Sequence, residues 1–129
     1  MKASPESGPP PPVTVLLVDD EPSLLQTLRL GLEREFEVDV ADSAAEAELM
    51  MATRAYHVVV SDHLMPGEEG LQFLIRASER HPRVRRILVT GYMNPELLSR
   101  SISLAGLAAC LLKPVKAEEV ARAIRAALR

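Results

Sequence analysis

Tryptophan is absent from this 129-residue chain, and aromatic residues make up only 3% of it. Any core must therefore be built from Leu, Val, Ile, Ala and Met. A single cysteine, Cys110, excludes an internal disulfide and makes reducing surroundings the default. Positive charge is not in excess. The net charge of -3 gives no electrostatic case for direct nucleic-acid binding, which needs a basic face. Long apolar runs are missing too. The longest mostly apolar stretch, Leu104 to Leu112, is far too short to span a bilayer. The opening MKASPESGPPPP lacks the apolar segment of a secretory signal. The expectation is a soluble cytoplasmic protein with no membrane partner.

What is present is ordinary for one globular domain, with 47% apolar and 26% charged residues. A chain of this length buries roughly two-thirds of the surface its unfolded form exposes. Residues 1–12 concentrate Pro5, Pro9, Pro10, Pro11 and Pro12 and offer nothing to bury, which predicts a disordered tail. The domain is expected over 13–129.

From Val13 the pattern alternates. Val13 to Val18 is a β-branched apolar run, as expected of a strand covered on both faces. Glu21-Pro22-Ser23 opens a helix carrying Leu24, Leu25, Leu28 and Leu32 at helical spacing. A short strand over Glu37 to Val40 follows. Ser43 then caps a helix, with Glu46 at the capping-box position. Val58 to Val60, Ile87 to Val89 and Ala108 to Leu112 predict three more strands. Helices beginning near Gly70 and Pro95, and one lined by Val120, Ala123, Ile124, Ala127 and Leu128, complete five strand–helix units. Strict alternation requires a parallel sheet with helices on both faces, a doubly wound α/β fold.

In such a sheet ligands bind at the carboxyl ends of the strands. The first strand ends at Asp19-Asp20-Glu21, the third at Ser61-Asp62, the fourth at Thr90-Gly91 and the fifth at Lys113-Pro114. Each residue alone has a structural explanation as a helix cap or a solvated charge. Independent accidents explain poorly why four of five strands carry a useful group to one rim. Three close carboxylates repel by on the order of 4 kcal/mol per pair at about 4 Å and an effective dielectric near 20. A hard divalent cation such as Mg²⁺ relieves this, and Lys113 adds a counter-charge. A metal, a lysine and a hydroxyl around one carboxylate suit phosphoryl transfer, with an aspartate as the nucleophile that forms an acyl phosphate.

The pieces VDDEP at 18–22, SDHLMPGEEG at 61–70, VTG at 89–91 and LKP at 112–114 resemble, in this order and spacing, a response-regulator receiver domain of two-component signalling. The resemblance covers Val13 to about Leu128. It implies a flavodoxin-like (βα)5 sheet of strand order 2-1-3-4-5. It also implies that Asp62 is the phosphoacceptor and that Mg²⁺ is held by Asp19, Asp20, Asp62 and the backbone carbonyl of Leu64. Lys113 would pair with the acidic site and then with phosphate, Thr90 would bond a phosphoryl oxygen, and the Lys113-Pro114 peptide would be cis. The implied partner is a histidine kinase or phosphotransfer protein, acting on a module that catalyses only its own phosphorylation and dephosphorylation.

One position departs from the family pattern. Cys110 stands three residues before the lysine, where the family usually places an aromatic that swings inward with the threonine, and a small thiol cannot make that switch. Tyr92, two residues after Thr90, is a candidate substitute. Leu64 and Tyr92 carry no carboxylate or amide to orient water, so slow self-dephosphorylation is expected; a phospho-lifetime of only seconds in this chain would contradict it. His63 is expected to turn away from the acceptor by strand alternation. Arg100, Lys116, Glu118, Glu119, Arg122 and Arg125 could join two copies through the fourth-to-fifth-helix face, but the same charges suit a solvated face, which is preferred.

Two rival classes are separable. A phosphate-independent docking module would keep the fold and lose Mg²⁺-dependent phosphate-mimic binding. An aspartate-nucleophile phosphatase needs a second acid two residues after the nucleophile, where Leu64 stands. A flavin-binding relative would need a Ser/Thr/Gly-rich phosphate loop after the first strand, where Asp19-Asp20-Glu21 would instead repel phosphate.

Overall fold

The computed structural model describes residues 11–65, 67–91 and 95–129, apart from the side chains at 95, 97, 98, 101 and 102. The expected tail therefore lies almost wholly outside the described residues, as does Tyr92. Five strands alternate with five helices: β1 (Thr14–Val18), α1 (Pro22–Leu32), β2 (Glu37–Ala41), α2 (Ala44–Thr53), β3 (Val58–Asp62), α3 (Gly70–Arg80), β4 (Arg85–Thr90), α4 (Pro95–Ala105), β5 (Ala109–Leu112) and α5 (Ala117–Ala127). The strands form one sheet in the order β2-β1-β3-β4-β5, and every pairing is parallel.

The burial follows from strand composition. Successive side chains point to opposite faces, so the continuous runs of β1, β3 and β4 supply both layers. Val15, Leu17, Val58, Val60, Ile87 and Val89 meet Leu25, Leu28 and Leu32 of α1 and Val120 and Ile124 of α5. Leu16, Val18, Val59 and Leu88 meet Ala47 and Met51 of α2 and Phe73, Leu74 and Ala77 of α3. With no tryptophan and few rings, Phe73 is the largest side chain fully withdrawn from water among the described residues.

Several boundaries differ from the sequence expectation. β1 starts at Thr14, β2 extends to Ala41, and β5 starts at Ala109. β4 begins at Arg85, ahead of its apolar run. The two arginines there have structural work. Arg85 Nε donates to the Ala127 carbonyl at 3.0 Å, and Arg86 Nε to the Ala105 carbonyl at 2.8 Å. They satisfy carbonyls at the C-terminal ends of α5 and α4, where a helix favours a cation. The cap of α2 also differs in detail. Ser43 Oγ accepts from the Glu46 N–H at 3.1 Å, but Glu46 Oε1 reaches back to the Asp42 N–H at 2.7 Å, one residue earlier than a capping box requires.

Arg125, one of the charges available for a dimer, is bound within the chain to Glu35 at 2.6 Å and Glu118 at 2.9 Å. That pairing supports the solvated-face reading of α5.

Candidate functional site

Parallel register brings the strand ends to one level. Val18 pairs with Ser61, Asp62 with Val89, and Thr90 with Leu112. Asp19 and Lys113 each lie one residue past their strands, while Asp62 and Thr90 close theirs. The chain order reverses at β1, with β2 on one side and β3 on the other. A crevice outside the carboxyl ends at such a point is where open α/β sheets bind ligands.

Asp19 is buried, and its Oδ1 accepts the Glu21 N–H at 2.9 Å just ahead of Pro22, the first residue of α1. This fixes the turn from β1 into the helix and orients the carboxylate. Asp62 is also buried, whereas Asp20 is exposed. Each of the three offers one carboxylate oxygen to a group lying within 4.8 Å of one another. Lys113 Nζ stands 3.0 Å from Asp62 Oδ1 and 3.4 Å from Asp19 Oδ2. Burial pushes the Asp62 carboxyl above its ordinary range, and the Asp19 charge adds to this; the hydrogen bond and charge of Lys113 oppose it without cancelling it. Burial alone would lower the Lys113 ammonium, but its hydrogen bond to Asp62 and the charges of Asp19 and Asp62 raise it. One ammonium thus incompletely neutralises a mostly buried acidic cluster.

That imbalance is the test of fit for a cation. The donor set consists of carboxylate oxygens only, with one member open to solvent. It suits a hard ion that keeps several waters and takes few protein carboxylates, which is the habit of Mg²⁺. Softer metals would look for imidazole or thiolate donors, and none joins this cluster among the described residues.

Thr90 is buried at the end of β4, and its carbonyl accepts the Lys113 N–H at 2.8 Å. The Lys113-Pro114 peptide is cis. Leu64, two residues past β3, leaves its side chain 65% exposed. His63 is buried, and its Nε2 lies 3.4 Å from Glu69 Oε2. Its ring is thus engaged with Glu69 of the loop. Cys110 is half-buried against the α2–α3 side of the sheet, opposite Leu88 in the ladder, and burial pushes its thiol up. A raised thiol is a poor nucleophile, consistent with a packing residue.

Two features escaped the sequence reading. A Cβ at Gly70 would lie 1.8 Å from the Asp62 carbonyl oxygen, so the start of α3 rests directly on the backbone of the candidate acceptor. The Gly70 N–H also donates to the His63 carbonyl at 2.7 Å. The GEEG string marks a loop and gives no sign of this approach. The second is Arg76, which binds Glu68 in the loop after Asp62 through both terminal nitrogens and Glu48 of α2 through Nε. Read along the chain, these three residues are ordinary surface charges.

A five-stranded doubly wound sheet with a carboxylate cluster and a lysine at its carboxyl rim defines a narrow class. A family model for the response regulator receiver domain matches residues 15–125, and the chain belongs to that family, the receiver domain of two-component response regulators. It is 35% identical over 115 residues to the hydrogenase transcriptional regulatory protein HoxA of Cupriavidus necator, covering 89% of this chain and 24% of HoxA. It is 31% identical over 120 residues to the transcriptional regulatory protein TrcR of Mycobacterium tuberculosis, covering 92% of this chain and 46% of TrcR. Among solved structures, the signal receiver domain of an HD domain-containing protein from Pseudomonas fluorescens Pf-5 superposes with a TM-score of 0.85 at 29% identity, covering 92% of this chain and 95% of that one. The chain thus spans less than half the length of the two regulators, and matches the isolated receiver almost end to end.

Proposed function

We propose that this chain accepts a phosphoryl group on Asp62 from a histidine kinase or phosphotransfer protein, in a reaction that needs Mg²⁺. The observation that carries the proposal is Lys113, 3.0 Å from Asp62 and 3.4 Å from Asp19 in a cluster of three carboxylates. An Asp62 oxygen attacks phosphorus, the phosphorus–nitrogen bond of the donor phosphohistidine breaks, and an acyl phosphate forms with the imidazole as leaving group. Asp19, Asp20, Asp62 and the Leu64 carbonyl would hold the cation. When bound, it neutralises charge on the cluster and on the equatorial phosphoryl oxygens.

The protein's own groups do the rest. Lys113 moves from balancing two carboxylates to pairing with the phosphoryl oxygens, which replace the charge it loses. Thr90 is on the strand beside the acceptor, where its hydroxyl would bond one phosphoryl oxygen. Leu64 is exposed and carries no polar group that could orient an attacking water, which supports a long-lived phosphoryl group. Phosphorylation would then favour one of two pre-existing conformations of the α4–β5–α5 face. Cys110 stands in the place of an aromatic, and its small thiol cannot make the inward swing that usually accompanies the threonine. On this reading the chain turns over no substrate beyond its own phosphoryl group.

Among the described residues no helix is long and apolar enough to cross a membrane, which supports a cytoplasmic setting. HoxA and TrcR are transcriptional regulators by name. We extend to this chain a role in passing a phosphorylation signal to an output of that kind, with any DNA contact made elsewhere than on this acidic domain.

Titration with beryllofluoride, followed through the amide resonances of Thr90 and Lys113, tests the proposal. Saturable shifts that require Mg²⁺ are expected. Absence of binding with Mg²⁺ present would favour the phosphate-independent docking module.

A further inference from the structure

The loop after Asp62 is held at several points. Its base is closed by the Gly70 N–H on the His63 carbonyl, and Met65 anchors it in the core. Gly67 turns it with φ of 88°. The next residue, Glu68, leaves the chain to meet Arg76, which takes both of its carboxylate oxygens. Arg76 Nε also donates to Glu48 Oε1 on α2 at 2.8 Å. Their side chains are 29%, 30% and 30% exposed for Glu68, Glu48 and Arg76, so the network is more shielded than ordinary surface pairs. A planar guanidinium that binds two oxygens of one carboxylate fixes orientation as well as distance. Arg80 reaches Glu48 at 3.3 Å but is 63% exposed, and among the described residues Glu48 is the partner it has.

We propose that Arg76 is a positioning residue for divalent-cation binding: by tying Glu68 to Glu48 of α2, it holds the loop in the geometry that lets Asp62 and the Leu64 carbonyl share one ion. The inference rests on the reading of the site given above. Arg76 does not touch the acidic cluster; it acts through Glu68. Electrostatics and positioning make opposite demands on it. Removing a cation from the neighbourhood makes the cluster more negative, so Coulomb's law alone tightens Mg²⁺ binding. Loss of positioning weakens it; losing a direct hydrogen-bond partner of a metal ligand typically costs about tenfold or more in affinity, and the lower end of that range is taken for Arg76, which acts one step further out.

The test is calorimetric titration of Mg²⁺ into the full chain as wild type, Arg76→Ala, Arg76→Lys and Arg80→Ala, with denaturant unfolding of each as a measure of fold. The expected result is a dissociation constant about tenfold weaker for Arg76→Ala. A smaller weakening is expected for Arg76→Lys, which keeps the charge and loses the two-oxygen grip, with Arg80→Ala unchanged. Equal or tighter binding by Arg76→Ala overturns the inference. If that variant does not fold, Arg76→Lys decides at constant net charge, and wild-type affinity in it overturns the inference. Wild type that takes up no Mg²⁺ overturns the reading of the site itself, and this inference falls with it.

Discussion

Replacing Gly70 with alanine is expected to lower stability and phosphoryl acceptance together. The new methyl would stand 1.8 Å from the Asp62 carbonyl oxygen, 2.8 Å from its carbon and 2.9 Å from Ser61 Oγ. Two of those neighbours are backbone and cannot rotate aside, so α3 must lift from β3 or the end of β3 must yield. Overpacking of this kind costs about 1–3 kcal/mol or more, a fall in Tm on the order of 10 °C for a domain of this size. Yielding of β3 moves Asp62 itself, and lifting of α3 shifts the loop that follows it. A displacement of about 1 Å from the reactive geometry can cost on the order of a hundredfold in rate, and a small phosphodonor assay would register it. Gly67→Ala is the control. Its φ of 88° strains any side chain, but among the described residues, its chain neighbours aside, nothing lies within 4 Å of the added methyl. It should lose about 1 kcal/mol of stability and keep most of its acceptor activity. Equal acceptance by wild type and Gly70→Ala would contradict this account of the loop.

Lys113→Ala is expected to separate stability from chemistry. The substitution strips the only cation recorded within salt-bridge distance of Asp62 and Asp19 among the described residues, and unpaired buried charge of this kind costs about 1–3 kcal/mol. The pH dependence follows from two raised groups. Asp62 is already raised, so its favourable contribution exists below the ordinary carboxylate range and is lost as pH rises through its folded value. Lys113 is raised, so its contribution persists until pH passes its own folded value. Between those limits the wild-type lysine compensates for the ionised aspartate. The stability gap between wild type and Lys113→Ala should therefore be full where Asp62 is ionised and Lys113 charged, close as acid protonates Asp62, and close again in strong alkali. Mg²⁺ should also narrow it, because cation and lysine compete for the same carboxylates; a ligand at a hundredfold excess over its dissociation constant adds about 2.7 kcal/mol. Phosphoryl acceptance should remain low even when Mg²⁺ restores stability, since no ammonium is left to meet the phosphoryl oxygens. Urea unfolding across pH, with and without Mg²⁺, reads the first set of outcomes. A gap independent of pH would contradict the pairing.

The parts of this molecule that were readable from the chain are those set by local pattern. Val15 to Val18 and Val58 to Val60 are apolar on both faces, and only a covered strand accommodates that. Once the sheet is parallel, register forces Asp19, Asp62, Thr90 and Lys113 to one rim, so the site followed from asking what each strand ends with. What could not be read depends on proximity in space. Arg85 and Arg86 fall outside the apolar run Ile87 to Val89 that marks β4, because their value is in carbonyls of α5 and α4 that only the fold brings near. Glu48 and Arg76 are 28 residues apart in sequence, and no periodicity joins them. Gly70 was legible as a loop boundary, but its need to be glycine comes from the Asp62 carbonyl. Cys110 was visible as a departure from the family pattern, and the structure gives it a packing place on β5 without a ring that could swing.

The central claim is that Asp62 accepts phosphate within this cluster. The most direct measurement is intact mass after incubation with a small phosphodonor and Mg²⁺, for wild type and Asp62→Asn. The account requires one added phosphoryl group on wild type and none on the variant. No addition to wild type, or equal addition to both, would contradict it.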